Sequence, residues 1–217
     1  PRSTLFPYTT LFDLHIEGDG KNKKLLGGKG AGLCEMTRIR LPVPPGFTIT
    51  TDVCKMFYQN SKTLPKSLWP EVKKNIAKIE RKTGKKWNSN TNPLLVSVRS
   101  GAALSMPGMM DTILNLGLNE NTVDALSKKS SNPRFAWDSY RRFVQLFGKV
   151  VFGVDDKKFD HVLEEAKKKQ GVHGDSELSE QSLREVVSQY QQICQAHTGK
   201  PYRKSTRLNS SHPYRSR

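Results

Sequence analysis

The chain has 217 residues, 35% of them hydrophobic, and a mean hydropathy of −0.62. Its longest apolar runs fall far short of the roughly 20 residues that a membrane helix needs, and its three cysteines are too few and too scattered for a disulfide framework. The net charge of +16 suits acidic ligands, and nucleotides fit it as well as nucleic acids do.

A glycine-rich segment precedes the first predicted helix. Residues 25–41 read LLGGKGAGLCEMTRIRL, which predicts a turn followed by a helix from about Lys29 to Arg40, ended by Pro42. Such a helix start suits a phosphate, because glycine lets the backbone approach an anion and Lys29 adds a positive charge. The segment matches neither a Walker A loop nor the GxGxxG fingerprint. A plain turn with a surface lysine is the alternative interpretation.

A strand and two helices are predicted next. The alternating segment Gly46–Thr50 predicts a short strand, followed by a helix that Thr51 or Asp52 caps. Apolar residues at helical spacing predict an amphipathic helix over residues 66–83, and Gly84 suits its C-terminal cap.

An arginine follows the next predicted strand. The segment Leu94–Val98 predicts a buried strand that leads directly into Arg99, and Ile113–Leu116 predicts a further strand. Ligand-binding residues cluster at strand ends in α/β proteins, where an arginine can bind a phosphate through two N–H groups. A structural salt bridge is the alternative for Arg99. The intervening Met-rich loop, 101–112, suits either a lid over a ligand or a packed loop.

From about residue 119 onward the periodicity is helical. Three apolar stripes predict helices that pack together: Phe135, Tyr140, Phe143, Val144 and Phe147; Phe159, Val162, Leu163 and Ala166; and Leu183, Val186, Val187, Tyr190 and Ile193. Arg141 and Arg142 are predicted to lie on a solvated face. The sequence thus divides into an α/β part, residues 21–117, and a helical part, residues 118–199.

The two ends differ in composition from the rest of the chain. Residues 1–12 and 200–217 are rich in Ser, Arg, Thr, Tyr and Pro and have no helical or strand periodicity. Residues 200–217 contain six basic side chains and no acidic one. We interpret residues 1–20 and this basic tail as non-native or disordered sequence rather than as parts of a domain.

Five segments in this order carry a family resemblance: LLGGKGAGLCEM, PVPPGFTITT, PLLVSVRSGA, SMPGMMDTILNLGLN and NPRFAWDSYRRF. Over roughly residues 21–199 the chain resembles the N-terminal nucleotide-binding region of the pyruvate, phosphate dikinases. The first two segments are also similar to phosphoenolpyruvate synthases and glucan, water dikinases. The resemblance implies an α+β fold, with a partial ATP-grasp-like α/β subdomain over residues 21–117 followed by an all-helical subdomain over residues 118–199.

The resemblance also implies an activity and its residues. The family converts ATP, pyruvate and phosphate into AMP, phosphoenolpyruvate and diphosphate through a phosphohistidine, with Mg²⁺ in the complete enzyme. By position, Lys29 and Arg99 correspond to the family's two phosphate-binding cations. The further ATP-binding candidates are Gly101, Ser105, Met109, Asp111 and Thr112, with Arg142 as a weaker one.

The resemblance leaves several parts of the family enzyme without a counterpart. The magnesium-binding carboxylates, the phosphohistidine domain and the pyruvate barrel are missing, so we assign no catalytic residue and no metal ligand. We expect an inactive fragment of a phosphotransferase that contributes part of an ATP site. The complete enzyme is expected to be a homo-oligomer in the cytoplasm, a plastid or another organelle, without nucleic-acid or membrane partners. The alternative is a non-catalytic basic module that binds nucleotides or nucleic acid.

Overall fold

The computed structural model describes residues 11–13, 21–101 and 111–200, which form two compact units. Among the described residues, unit 1 comprises 11–13, 21–84 and 100–101, and unit 2 comprises 85–99 and 111–200. Unit 2 includes Val96–Arg99 and Thr112–Leu116, two strands from the part of the sequence that was predicted to form the α/β subdomain. Within the described ranges, every helix is too short or too polar to cross a membrane.

Unit 1 contains a two-stranded antiparallel sheet and three helices. Strand β1 (Leu11–Asp13) pairs with β2 (Phe47–Ile49). The helices are α1 (Lys23–Arg38), α2 (Thr51–Gln59) and α3 (Leu68–Thr83). The sequence prediction missed β1, because a three-residue strand is too short to display a period of two.

The helix ends in unit 1 differ in part from the prediction. Helix α1 begins six residues before Lys29, since the side chain of Asn22 accepts a hydrogen bond from the Leu25 N–H at 3.1 Å and starts the helix there. The N-cap of α2 is Thr50, without a side-chain capping bond, rather than Thr51 or Asp52. Gly84 caps α3 in the left-handed conformation, as predicted (φ 67°).

Unit 2 contains an antiparallel pair of strands and four α-helices in its described part. Strand β3 (Val96–Arg99) pairs with β4 (Thr112–Leu116). The helices are α4 (Glu120–Ser130), α5 (Pro133–Phe147), α6 (Asp156–Gln170) and α7 (Glu180–Thr198), with a π-helical turn at Gly148–Phe152 and a 3-10 turn at Asp175–Glu177. This mixture of helices and strands is compatible with the predicted α+β class.

The predicted strand at Leu94–Val98 is not buried along its length. Leu94 is buried, but it precedes the strand, and the side chain of Val98 is 46% exposed. Among the described strands, β3 pairs only with β4. A two-stranded sheet is too small for both of its faces to be covered, as the faces of a parallel α/β sheet are.

The predicted apolar stripes form the core of unit 2, with one exception. Their buried members are Tyr140, Phe143, Val144, Phe159, Leu163, Leu183, Val186, Val187 and Tyr190. Phe135 is 49% exposed. At about 100° per helical residue, five positions place it roughly 140° around the helix from Tyr140.

The prediction that Arg141 and Arg142 share a solvated face is wrong for Arg141. The side chain of Arg142 is 59% exposed, whereas that of Arg141 is 3% exposed. Arg141 donates two hydrogen bonds to Oδ1 of Asp138, at 2.9 and 2.8 Å, and its Nη2 lies 3.4 Å from Oδ2 of Asp175. Burial of this charge is tolerated because both carboxylates offset the lost hydration.

Candidate functional site

Gly27 divides α1 into two helical segments. Its backbone angles (φ 69°, ψ 168°) fall in a region that essentially only glycine adopts. The helix therefore restarts after Gly27, and Gly28 and Lys29 lie in the first turn of the second segment. The first N–H groups of a helix have no carbonyl partner within it, so this turn suits an anion. The predicted turn and helix start are thus present inside a longer helix.

Two threonines of unit 1 contact this glycine-rich turn. The hydroxyl of Thr51 donates a hydrogen bond to the backbone oxygen of Lys24 at 2.6 Å. A Cβ atom built on Gly30 would lie 2.9 Å from Oγ1 and 3.1 Å from Cγ2 of Thr48. The chain therefore needs a glycine at position 30 to pass Thr48.

A depression of about 660 Å³ runs along the exposed side of α1. It is lined by Lys21, Lys23, Gly28, Ala31, Gly32, Glu35 and Arg38. The carboxylate of Glu35 is hydrogen-bonded to Arg38 at 2.6 Å, and this bond lowers the pKa of Glu35. Three cationic side chains against one paired carboxylate make the lining net positive. Lys29 is exposed but does not line this depression.

Arg99 lies at the loop end of the β3–β4 hairpin. It ends β3 directly opposite Thr112 in β4, and Asp111 precedes Thr112. Arg99 and Asp111 are exposed, and Thr112 is half-buried. The structure thus brings three of the predicted residues together. It does so in an antiparallel hairpin, however, and not at the end of a parallel strand.

The remaining predicted residues lie in unit 1, outside the described residues, or elsewhere in unit 2. Gly101 is exposed and belongs to unit 1, as does Lys29. Ser105 and Met109 lie outside the described residues. In unit 2, Arg142 donates a hydrogen bond from Nε to Oδ2 of Asp138 at 3.0 Å, so this exposed cation has a carboxylate partner.

Lys149 is a cation near the hairpin that the sequence analysis missed. Its ammonium lies 2.6 Å from Oδ2 of Asp156, and Gln145 donates to the other oxygen of Asp156 at 3.0 Å. The hydrogen bond to Asp156 raises the pKa of Lys149, and Asp111 adds to this effect through its charge. Lys149 lies in the π-helical turn after α5, and no sequence motif connects it with Asp111.

A magnesium site does not fit the described part of the chain. Among its residues, no group of three or more His, Cys, Asp or Glu side chains is arranged to hold a metal ion. We therefore assign no metal ligand and derive no chemical step through a metal.

Sequence comparisons identify related proteins. Residues 23–68 and 61–145 match the family "Pyruvate phosphate dikinase, AMP/ATP-binding domain". The chain is 56% identical over 186 residues to the pyruvate, phosphate dikinase of Entamoeba histolytica, an alignment that covers 86% of the chain and 21% of the relative. It is 53% identical over 180 residues to that of Giardia intestinalis, covering 83% and 20%. It is 50% identical over 177 residues to the chloroplastic enzyme of Flaveria pringlei, covering 82% and 18%. The chain therefore spans about a fifth of the length of these curated relatives.

Proposed function

Since the chain belongs to the pyruvate, phosphate dikinase family, through the AMP/ATP-binding domain, we propose that it contributes part of an ATP-binding site for phosphoryl transfer. The observation that carries this proposal is the helix restart at Gly27, which leaves the N–H groups of a first helical turn without a partner within the helix, beside Lys29. This turn lies within the family match over residues 23–68.

Lys29 is proposed to bind ATP phosphates. Phosphoryl transfer depends mainly on positioning and on neutralising negative charge, so an exposed ammonium at a helix start is chemically suited to it. Gly28, which is exposed, allows the phosphates to approach the backbone closely.

Arg99 is the second proposed phosphate ligand. Its guanidinium can bind a phosphate through two N–H groups, and the hydroxyl of the opposing Thr112 can donate a further hydrogen bond. Gly101 and Asp111 flank residues 102–110 in the sequence, a segment that contains Ser105 and Met109, and we retain these four residues as candidates. Arg142 is the weakest candidate, since Asp138 already pairs with it.

The complete enzyme is proposed to carry out the family reaction. ATP transfers its β-phosphate to a histidine and its γ-phosphate to inorganic phosphate, and the phosphohistidine then converts pyruvate into phosphoenolpyruvate. We propose an ATP-grasp fold and a homo-oligomeric enzyme of the cytoplasm or an organelle, such as the plastid named for the Flaveria relative. Mg²⁺ would be needed by this enzyme, and none of the described residues is proposed to hold it. Because this chain spans about a fifth of its relatives, we propose that by itself it has no turnover.

The proposal is tested by titrating the 217-residue chain with ATP and following backbone amide shifts by NMR. The substitutions Lys29→Ala and Arg99→Ala should each weaken ATP binding by roughly tenfold, the loss expected for one charge-assisted hydrogen bond. The controls are Lys73→Ala and Arg81→Ala, which remove exposed cations of α3 and should leave binding unchanged. Unchanged binding in both site variants, or AMP formation by the chain with ATP, pyruvate and phosphate, would contradict the proposal.

A further inference from the structure

The backbone oxygen of Lys24 has lost its usual helical partner. In an uninterrupted helix this oxygen would accept a hydrogen bond from the N–H of residue 28, but the angles of Gly27 break the helix between the two. The hydroxyl of Thr51 occupies the acceptor instead, at 2.6 Å. A residue 27 positions later in the sequence thus completes the hydrogen bonding of the glycine-rich turn.

The hydroxyl of Thr51 can donate this hydrogen bond to α1 because it does not cap its own helix, α2. It is the first residue of α2, whose N-cap is Thr50, and no side-chain capping bond is formed there. On the far side of Gly27, Gly30 packs against Thr48 of β2. The segment from Thr48 to Thr51 therefore contacts the turn both before and after its break.

We propose that Thr51 is a positioning residue for the anion-binding turn, an inference that rests on the proposed function. Its hydrogen bond fixes the backbone oxygen of Lys24, three residues before Gly27, and so restricts the direction in which the following turn, with Lys29, leaves the break. A site whose N–H groups are already oriented loses less conformational entropy when the anion binds. The hydroxyl of Thr51, although it touches no phosphate, sets the affinity of the turn for phosphates.

The test compares Thr51→Val with Thr51→Ser in the 217-residue chain. Valine keeps the size and β-branching but removes the hydroxyl, and serine restores the hydroxyl. The exposed Thr63, in the loop between α2 and α3, provides the control Thr63→Val. Hydrogen exchange of the amides of residues 31–34, the first that can be hydrogen-bonded within the restarted helix, reports on the turn, with the amides of α3 and α7 as the reference for global unfolding. ATP titration then reports on binding.

We expect Thr51→Val to speed exchange at residues 31–34 by roughly fivefold, the equivalent of one neutral hydrogen bond, and to weaken ATP binding to a similar degree. Thr51→Ser and Thr63→Val should resemble the wild type in both measurements. Unchanged exchange in Thr51→Val, or an equal effect of Thr51→Ser, would overturn the positioning role. Faster exchange in Thr51→Val together with a wild-type chain that does not respond to ATP would instead contradict the proposed function.

Discussion

Gly30 of α1 and Thr48 of β2 are so close that a Cβ atom on Gly30 would lie 2.9 Å from Oγ1 of Thr48. Real Cβ atoms do not approach another heavy atom this closely without a shift of the neighbour. Two positions along the same helix, a Cβ atom on Gly32 would meet nothing within 4 Å. The contact with Thr48 thus excludes a side chain at position 30 but not at position 32. Substitution by alanine should therefore have different effects on stability at the two positions.

Gly30→Ala should destabilise the chain by about 1–3 kcal/mol, the usual cost of forcing an extra methyl group into a packed site. Gly32→Ala should instead stabilise it by up to about 1 kcal/mol, because alanine loses less backbone entropy than glycine in a helix. The free energy of unfolding from urea titration measures both effects. Equal effects of the two substitutions would show that the contact with Thr48 does not restrict position 30.

The adjacent arginines of α5 give a second matched pair. Arg141→Met should destabilise the chain by about 1–3 kcal/mol, because it removes the charge-assisted hydrogen bonds that the buried guanidinium makes to Asp138 and Asp175, while each carboxylate keeps one other cation. Arg142→Met removes an exposed partner of the same Asp138 and should change stability by less than about 1 kcal/mol. Thermal unfolding of the two variants provides the comparison, and similar midpoints would contradict the burial of Arg141.

Asp175 makes the stability of unit 2 depend on pH. A hydrogen bond from Lys167, at 2.9 Å, is the main cause that lowers the pKa of Asp175 from its usual 3.8, and the charge of Arg141 adds to it. Because the folded state holds this pKa below its unfolded value, the stabilisation is present at neutral pH and is lost as the pH falls through the folded value.

Asp175→Asn should therefore be less stable than the wild type at neutral pH, and the difference should shrink as the pH falls below about 4. Denaturant midpoints measured across this range test the expectation. Asp124→Asn, which changes an exposed carboxylate of α4, is the control and should show no such convergence. A difference that stays constant with pH would mean that Asp175 acts through packing and not through charge.

A deletion of residues 200–217 distinguishes nucleotide binding from non-specific binding of polyanions. The deletion takes away six cations but not Lys29 or Arg99, so ATP affinity should stay the same. Any binding of single-stranded DNA by the full chain should fall, together with its dependence on salt concentration. Fluorescence anisotropy in a salt series measures the second effect. DNA binding that survives the deletion with a steep salt dependence would favour the basic-module alternative.

The sequence predicted those features that depend on neighbouring residues. The cap at Gly84 follows from glycine's access to the left-handed conformation, and the apolar stripe of α7 follows from helical periodicity. The glycine-rich turn was also predictable, because its chemistry lies within a few consecutive residues. The start of α1 was predicted too late in the sequence, at Lys29 instead of Lys23, because the pattern did not indicate a helix on both sides of Gly27.

Features that depend on distant partners were not predictable. Arg141 is buried because Asp175, 34 residues away, reaches its guanidinium, and helical periodicity carries no information about that contact. The same holds for Thr51, which the sequence suggested as a helix cap but which bonds to α1. The exposure of Val98 depends on how many strands join the sheet, which a hydrophobic pattern does not reveal.

The backbone angles at Gly27 also restrict how this segment can vary during evolution. Among the genetically encoded amino acids, every alternative is an L-residue whose Cβ atom conflicts with a positive φ combined with a ψ near 168°. Missense changes in this codon therefore act on the direction of the second half of α1, whatever the polarity or size of the new side chain. A D-alanine introduced by chemical ligation has the opposite handedness, so its backbone is compatible with these angles, which no L-residue adopts readily.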